Sequence, residues 1–164
     1  MRRLWIAIFL LGFTLWGGEN AASTTGDGVV RHASIIPYTG RPIMLLFDSR
    51  TCPYCKKMKK ELLSDPELHK IAVQFDLYNI PRDDQQAYTI LGNATTTQSL
   101  QMLYKVKVTP YVVLLTSKGV KIWQIPGYVK PHVLAAIMEF VKGVDEGKYQ
   151  KSEWKEYLKK AGVI

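Results

Sequence analysis

The sequence predicts an α/β domain, a central mixed β-sheet with helices on both faces and one extra helix at the C-terminus. Three observations carry this expectation. The apolar run Ile43-Met44-Leu45-Leu46-Phe47 leads into Cys52-Pro53-Tyr54-Cys55 and then a helical pattern. Asp65-Pro66-Glu67 starts a second helix, after which strand character returns. Thr109-Pro110 then opens two strand patterns and a closing amphipathic helix. A strand–helix–strand unit that feeds an antiparallel hairpin and a covering helix gives a mixed sheet.

The N-terminus is set apart from that fold. Met1-Arg2-Arg3 is a short positive region, Leu4 to Trp16 is apolar, and Gly17-Gly18 with Ala21-Ala22-Ser23 supplies small residues suited to a signal peptidase. Residues 1–23 therefore read as a signal peptide, with an uncleaved N-terminal anchor as the alternative. The apolar run is short against the ~20 residues of a membrane span. Residues 24–41 are rich in small and polar types and read as a linker in which Val29-Val30 and Ile35-Ile36 could dock. Residues 42–164 form the domain. The formal net charge is +8, but the basic residues are scattered apart from Lys56, Lys57, Lys59 and Lys60. That cluster is one helix face rather than a stripe with interleaved aromatics, so nucleic acid is not expected as a partner.

Within the domain, a strand is expected at about 43–48. In the helix that follows, Cys55, Met58, Leu62 and Leu63 share one face, with the four lysines outside. The Asp65-Pro66-Glu67 helix is short, and alternation of Val73, Phe75 and Leu77 places the second strand at 71–78. Residues 81–97 are polar and weakly patterned, with a turn at Gly92-Asn93. Thr95 and Gln98 fit a capping box for a helix over about 96–105, with Leu100, Leu103 and Tyr104 inward. Proline cannot donate to a ladder, so Pro110 marks a strand start or a turn, and a cis bond is one way to meet that need. Tyr111 to Leu115 and Val120 to Ile125 form a hairpin around Ser117-Lys118-Gly119. Leu134, Ile137, Met138 and Val141 define a helix over 131–142, and Trp154, Tyr157, Leu158 and Ala161 define a last one over 152–161.

Cys52 and Cys55 are the only cysteines. A thiol on the first turn of a helix meets unpaired backbone N–H groups and the positive end of the helix dipole, both of which favour its thiolate. A second thiol one turn along can close a small disulfide ring, so the pair reads as a redox dithiol. A zinc site normally takes four ligands, and no second CxxC or CxxH is present to complete one. His32, His69 and His132 sit in no recognisable motif, so a cysteine–histidine protease is not expected. Met58 near the pair leaves soft Cu(I) binding as a minor alternative.

With these residues in hand, the chain resembles the thioredoxin superfamily over about 42–143. The resemblance rests on Phe47, Cys52-Pro53-Tyr54-Cys55-Lys56, Thr109-Pro110 before a hydrophobic strand, Gly119 in the hairpin turn and Gly127-Tyr128 before the last core helix. Within it, the chain looks most like exported thioredoxin-like proteins of the SoxW and DsbD-C-terminal-domain kind. Those share the Cys-x-x-Cys-Lys-x-Met run, here Cys52 to Met58, with Asp65-Pro66-Glu67 and Pro126-Gly127-Tyr128. The resemblance implies a thioredoxin fold with Cys52 as nucleophile and Cys55 as resolving thiol. It makes Pro110 a cis-proline facing them and Thr109 a backbone anchor for substrate, and has Pro53 and Tyr54 tune the helix start. Thioredoxins also carry a buried aspartate six positions before the first cysteine and a tryptophan just before it; here those positions are Leu46 and Thr51. Asp48 is the nearest acid, with its direction open.

The expected function is that of an exported, periplasmic thiol–disulfide oxidoreductase that reduces protein disulfides. It would need no cofactor and no metal, act as a monomer, and be fed by a membrane thiol transporter of the DsbD/CcdA type. A disulfide oxidase or isomerase, and a non-enzymatic module with a structural disulfide, are the alternatives.

Overall fold

The computed structural model describes residues 29–164, so the expected signal peptide lies outside the described residues. The main sheet has five strands: β1 (Val30–Arg31), β3 (Ile43–Asp48), β4 (Asp76–Pro81), β7 (Tyr111–Leu115) and β8 (Lys121–Pro126). Their order is β1-β4-β3-β7-β8, parallel from β1 to β3 and antiparallel from β3 to β8. The strand that leads to the cysteines is therefore central. It is buried on both faces, which is why it reads as a continuous apolar run rather than as alternation.

Side-chain alternation splits the core in two. Met44, Leu46, Leu77, Val112 and Leu114 point to the face covered by α1 (Pro53–Ser64), α2 (Pro66–Ala72), α4 (Pro131–Asp145) and α5 (Trp154–Lys160). Leu45, Phe47, Tyr78, Ile80 and Val113 point to the other face, under α3 (Thr97–Tyr104) and a second, three-stranded sheet. That small sheet joins β2 (Ile35–Ile36), β5 (Ala87–Ile90) and β6 (Asn93–Thr96). The mixed sheet, the helices on its two faces and the additional C-terminal helix are as the sequence predicts.

Several local expectations are corrected. The second strand is Asp76–Pro81, not 71–78, because α2 runs on to Ala72. Val73 caps that helix and is exposed, so its apparent alternation with Phe75 and Leu77 spans a helix end rather than a strand. The polar stretch after Pro81 contains β5 and β6, whose two-residue turn is Leu91-Gly92, not Gly92-Asn93. Both turn residues have positive φ, 49° and 82°, and Asn93 pairs with Ile90; this is the twist that suits a tight hairpin. Thr96, not Thr95, caps α3 by accepting from the Ser99 N–H at 3.1 Å. Leu63 and Leu103, expected inward, are exposed. So is Ala161 at the end of the last helix.

Part of the stretch read as a linker is built into the fold. Val30 and Ile36 are buried, and β1 and β2 pair in parallel with β4 and β5. The tie is polar as well as apolar. Asp76, 2% exposed, accepts from the Thr39 hydroxyl and lies 3.4 Å from Arg31 Nη1 and 3.5 Å from Arg41 Nη1. A buried carboxylate must be paired or hydrogen-bonded, and residues 31–41 supply these partners.

Candidate redox site

Cys52 sits just past the carboxyl end of β3 as the N-cap of α1, and Pro53 occupies the first helical position. Proline suits that position because its missing N–H would be unpaired there in any case. Cys52 and Cys55 form a disulfide with Cα atoms 5.3 Å apart. Cys52 Sγ accepts from the Cys55 backbone N–H at 3.1 Å. The same N–H would meet a Cys52 thiolate in the reduced state, and with the helix dipole it favours the charged form. Cys52 is the more accessible of the two, at 6% against 1% for Cys55, so in the disulfide form it is far less exposed than the word nucleophile suggests.

The other sequence-predicted residues gather at the same end of the sheet. Thr109 and Pro110 immediately precede β7, which runs antiparallel to β3, so they come up beside the loop that carries Cys52. The Thr109–Pro110 peptide is cis. Ser49 Oγ and Thr109 Oγ1 lie 3.2 Å apart, tying the two loops together. Pro110 is buried and its carbonyl accepts from Gly127 N–H at 2.9 Å. Gly127, with φ of 85°, makes a turn that an L side chain would strain, and the next residue, Tyr128, projects toward α1. There the Tyr128 ring lies 5.5 Å from that of Tyr54, and its hydroxyl donates to Glu61 Oε1 at 2.9 Å. Burial and the Glu61 contact push the Tyr128 hydroxyl pKa up. Tyr54 itself is 56% exposed, an aromatic surface beside the disulfide.

Beneath the cysteines lies a polar group that the sequence reading did not assemble. Alternation from Met44 and Leu46 places Asp48 on the α1 face of the sheet, which settles its direction. Lys59 reaches back from α1 to Asp48 Oδ2 at 2.7 Å, and Asn79 Nδ2 donates to Asp48 Oδ1 at 3.0 Å. Lys59 is thus mostly buried rather than outside with Lys56, Lys57 and Lys60. Asn79 is 2% exposed, and its Oδ1 meets no donor among the described residues. The available signal was an asparagine inside the otherwise apolar Leu77-Tyr78-Asn79-Ile80. Leu46, where thioredoxins carry their buried aspartate, is fully enclosed in the core. Asp48, Cys52, Cys55, Lys56, Lys59 and Lys60 are among the residues lining a cavity of about 450 Å³.

Among curated proteins, no match to the chain is found. The solved structures give similarity at the level of fold. A thioredoxin-fold protein from Helicobacter pylori is 22% identical with a TM-score of 0.69, covering 79% of this chain and 89% of that one. A thioredoxin-like protein from Clostridium perfringens is 20% identical with a TM-score of 0.50, covering 84% and 97%. The oxidised DsbD C-terminal domain of Neisseria meningitidis, 21% identical over 65% of this chain and 79% of that one, reaches only 0.42 and adds nothing to the assignment. The sequence profile of the thioredoxin-like domain matches residues 32–142, which span both cysteines, the cis-proline and most of α4. By that match the chain belongs to the thioredoxin-like domain family, within the thioredoxin superfamily.

Proposed function

We propose that the protein is an exported thiol–disulfide oxidoreductase that reduces client disulfides in the periplasm. The observation that carries this reading is the Cys52–Cys55 disulfide at the start of α1, with Thr109-Pro110 held beside it through Ser49. In the reduced protein, Cys52 thiolate attacks one sulfur of a client cystine. The client S–S bond breaks, a Cys52–client bond forms, and the first client thiolate leaves. Cys55 gives up its proton and attacks Cys52 Sγ; the second client thiol is released and the Cys52–Cys55 bond closes. Two electrons pass to the client, and the pair ends oxidised. Tyr54 and the Thr109 backbone give a client segment a surface to lie on, in the manner of an added strand.

The direction rests on compartment and on resemblance. The N-terminal sequence has the make-up of an export signal, and an exported reductant needs electrons from across the membrane; a thiol transporter of the DsbD/CcdA type fits that need. Equilibration of the pair against glutathione buffers tests this. A potential near ~−270 mV supports a reductase, whereas one near ~−120 mV reverses the direction to an oxidase or isomerase. Roles within the pair are tested by substitution. Cys55→Ser should accumulate mixed disulfides and Cys52→Ser should abolish turnover; equal behaviour of the two variants would remove the assignment. A pair that exchanges with no thiol under native conditions is a structural link instead.

A further inference from the structure

Two of the four lysines of α1, Lys56 and Lys57, run against the electrostatics of their own helix. Cations suit a helix C-terminus and anions its first turn. Here the first turn carries no acid, the last turn carries no base, and Lys56 and Lys57 fall near the start. A local choice that works against helix stability points to selection for something else. Not all of these charges are free to act. Lys59 is bound to Asp48 at 2.7 Å, Lys57 lies 3.9 Å from Glu61 and over the Tyr128 ring, and Arg50 pairs with Asp84 at 2.6 Å. That leaves Lys56 and Lys60, one turn apart, both exposed and with no acidic partner among the described residues. Both line the cavity that Cys52 and Cys55 also line.

We infer that this rim selects client polypeptides whose disulfide is flanked by acidic residues, with Lys56 and Lys60 receiving the carboxylates as the cystine approaches Cys52. The inference rests on the oxidoreductase reading above and adds a substrate class to it. Two unpaired cations beside a partly enclosed cavity focus the field at the point of attack, and such focusing raises association rates by one to three orders of magnitude. A cation lining the same cavity would also favour the Cys52 thiolate, which would speed exchange with every client alike. A preference between clients is therefore the diagnostic quantity, because thiolate reactivity cancels in the ratio.

The test uses the reduced protein and three model peptides that share one cystine, flanked by glutamates, glutamines or lysines. Initial exchange rates are read at about 20 mM and about 500 mM salt, where the screening length falls from roughly 20 Å to a few ångströms. The acidic peptide should react about tenfold faster than the neutral one at low salt, and within about twofold of it at high salt. In Lys56→Gln/Lys60→Gln the low-salt ratio should fall to within about twofold of unity, and Lys56→Glu/Lys60→Glu should favour the lysine peptide. A low-salt ratio near one in the unmodified protein, or a ratio that survives the double substitution, overturns the inference while leaving the redox reading intact. No exchange with any of the three peptides overturns both.

Discussion

Replacing Lys59 with methionine should destabilise this protein far more than a surface lysine substitution does. The side chains of Lys59 and Asp48 are only 11% and 15% exposed, and their charged atoms are 2.7 Å apart. At an effective dielectric constant of about 20, unit charges roughly 3 Å apart attract by about 5 kcal/mol gross. Most of that attraction is offset by the cost of taking both ions out of water. Lys59→Met removes the attraction but leaves the cost at Asp48, whose remaining named side-chain donor is the Asn79 amide at 3.0 Å. Breaking a fully buried pair costs about 3–5 kcal/mol, and the residual access of water to Asp48 brings the cost to the foot of that range or just below it, about 2–3 kcal/mol. For a domain of this size that is a fall in Tm of roughly 8–12 °C. Asp48→Asn/Lys59→Met removes both charges together, keeps an acceptor for the buried Asn79 amide, and should recover to within about 1 kcal/mol of the unmodified protein. Urea unfolding of the oxidised protein and its three variants gives the full cycle. If Lys59→Met costs less than about 0.5 kcal/mol, the pair behaves as an exposed one and the reasoning from burial is wrong.

Gly143→Ala sets two effects of opposite sign against each other. In a helix interior the exchange is worth about 1 kcal/mol in favour of alanine. In α4, however, the new Cβ would lie 2.5 Å from Cε2 of the Tyr149 ring, which is stacked on Phe140 at 6.0 Å and packed edge-on to Tyr157 at 5.1 Å. Displacing the ring would break its contacts with Phe140 and Tyr157, so overpacking should win and the variant should lose about 1–3 kcal/mol in urea melts; in a Tyr149→Ala background the same exchange should become stabilising. The tyrosines also predict a base transition. Burial pushes the Tyr88 hydroxyl up to about 12, and burial with the nearby Glu139 carboxylate does the same for Tyr157. Both are raised in the folded state, so the stability they contribute is fully present below the unfolded value near 10 and is lost as pH rises toward about 12. Absorbance at 295 nm should therefore resolve late-ionising tyrosines in native buffer that merge with the rest in urea. A single native step near pH 10 for all nine would falsify the burial argument.

How much of this could be read from sequence depends on how far apart along the chain the causes lie. The start of α1 is local: N-cap, proline at the first position and both thiols fall within Cys52–Cys55, so the site and its fold context were legible together. The hairpin and α4 were legible for the same reason, since Leu134, Ile137, Met138 and Val141 report one face of one helix. The 81–97 stretch was not legible. Of its two short strands, β5 pairs with Ile35–Ile36, about fifty residues upstream, and β6 pairs with β5. Leu103 shows the limit of periodicity, since spacing places it on a plausible inner face and only tertiary packing decides that it stays exposed.

The polar group under the cysteines marks the same limit at the functional site. Asp48, Lys59 and Asn79 come from a strand end, a helix middle and a neighbouring strand. Each has an ordinary explanation when read alone: an acid near a turn, one of four lysines on a solvated face, an odd polar residue in a strand. Only the register Leu46↔Asn79 and the turn of α1 over β3 bring them together. That assembly also assigns the lysines different tasks. Lys59 is committed to Asp48 and so to holding α1 against the sheet, while Lys56 and Lys60 remain available to whatever approaches Cys52. Burial and pairing thereby divide a single basic run into a residue that acts on stability and two that are left for the recognition proposed above. Substitutions at Lys59 and at Lys56/Lys60 should accordingly separate in their effects, the first moving the unfolding midpoint and the second the preference among clients.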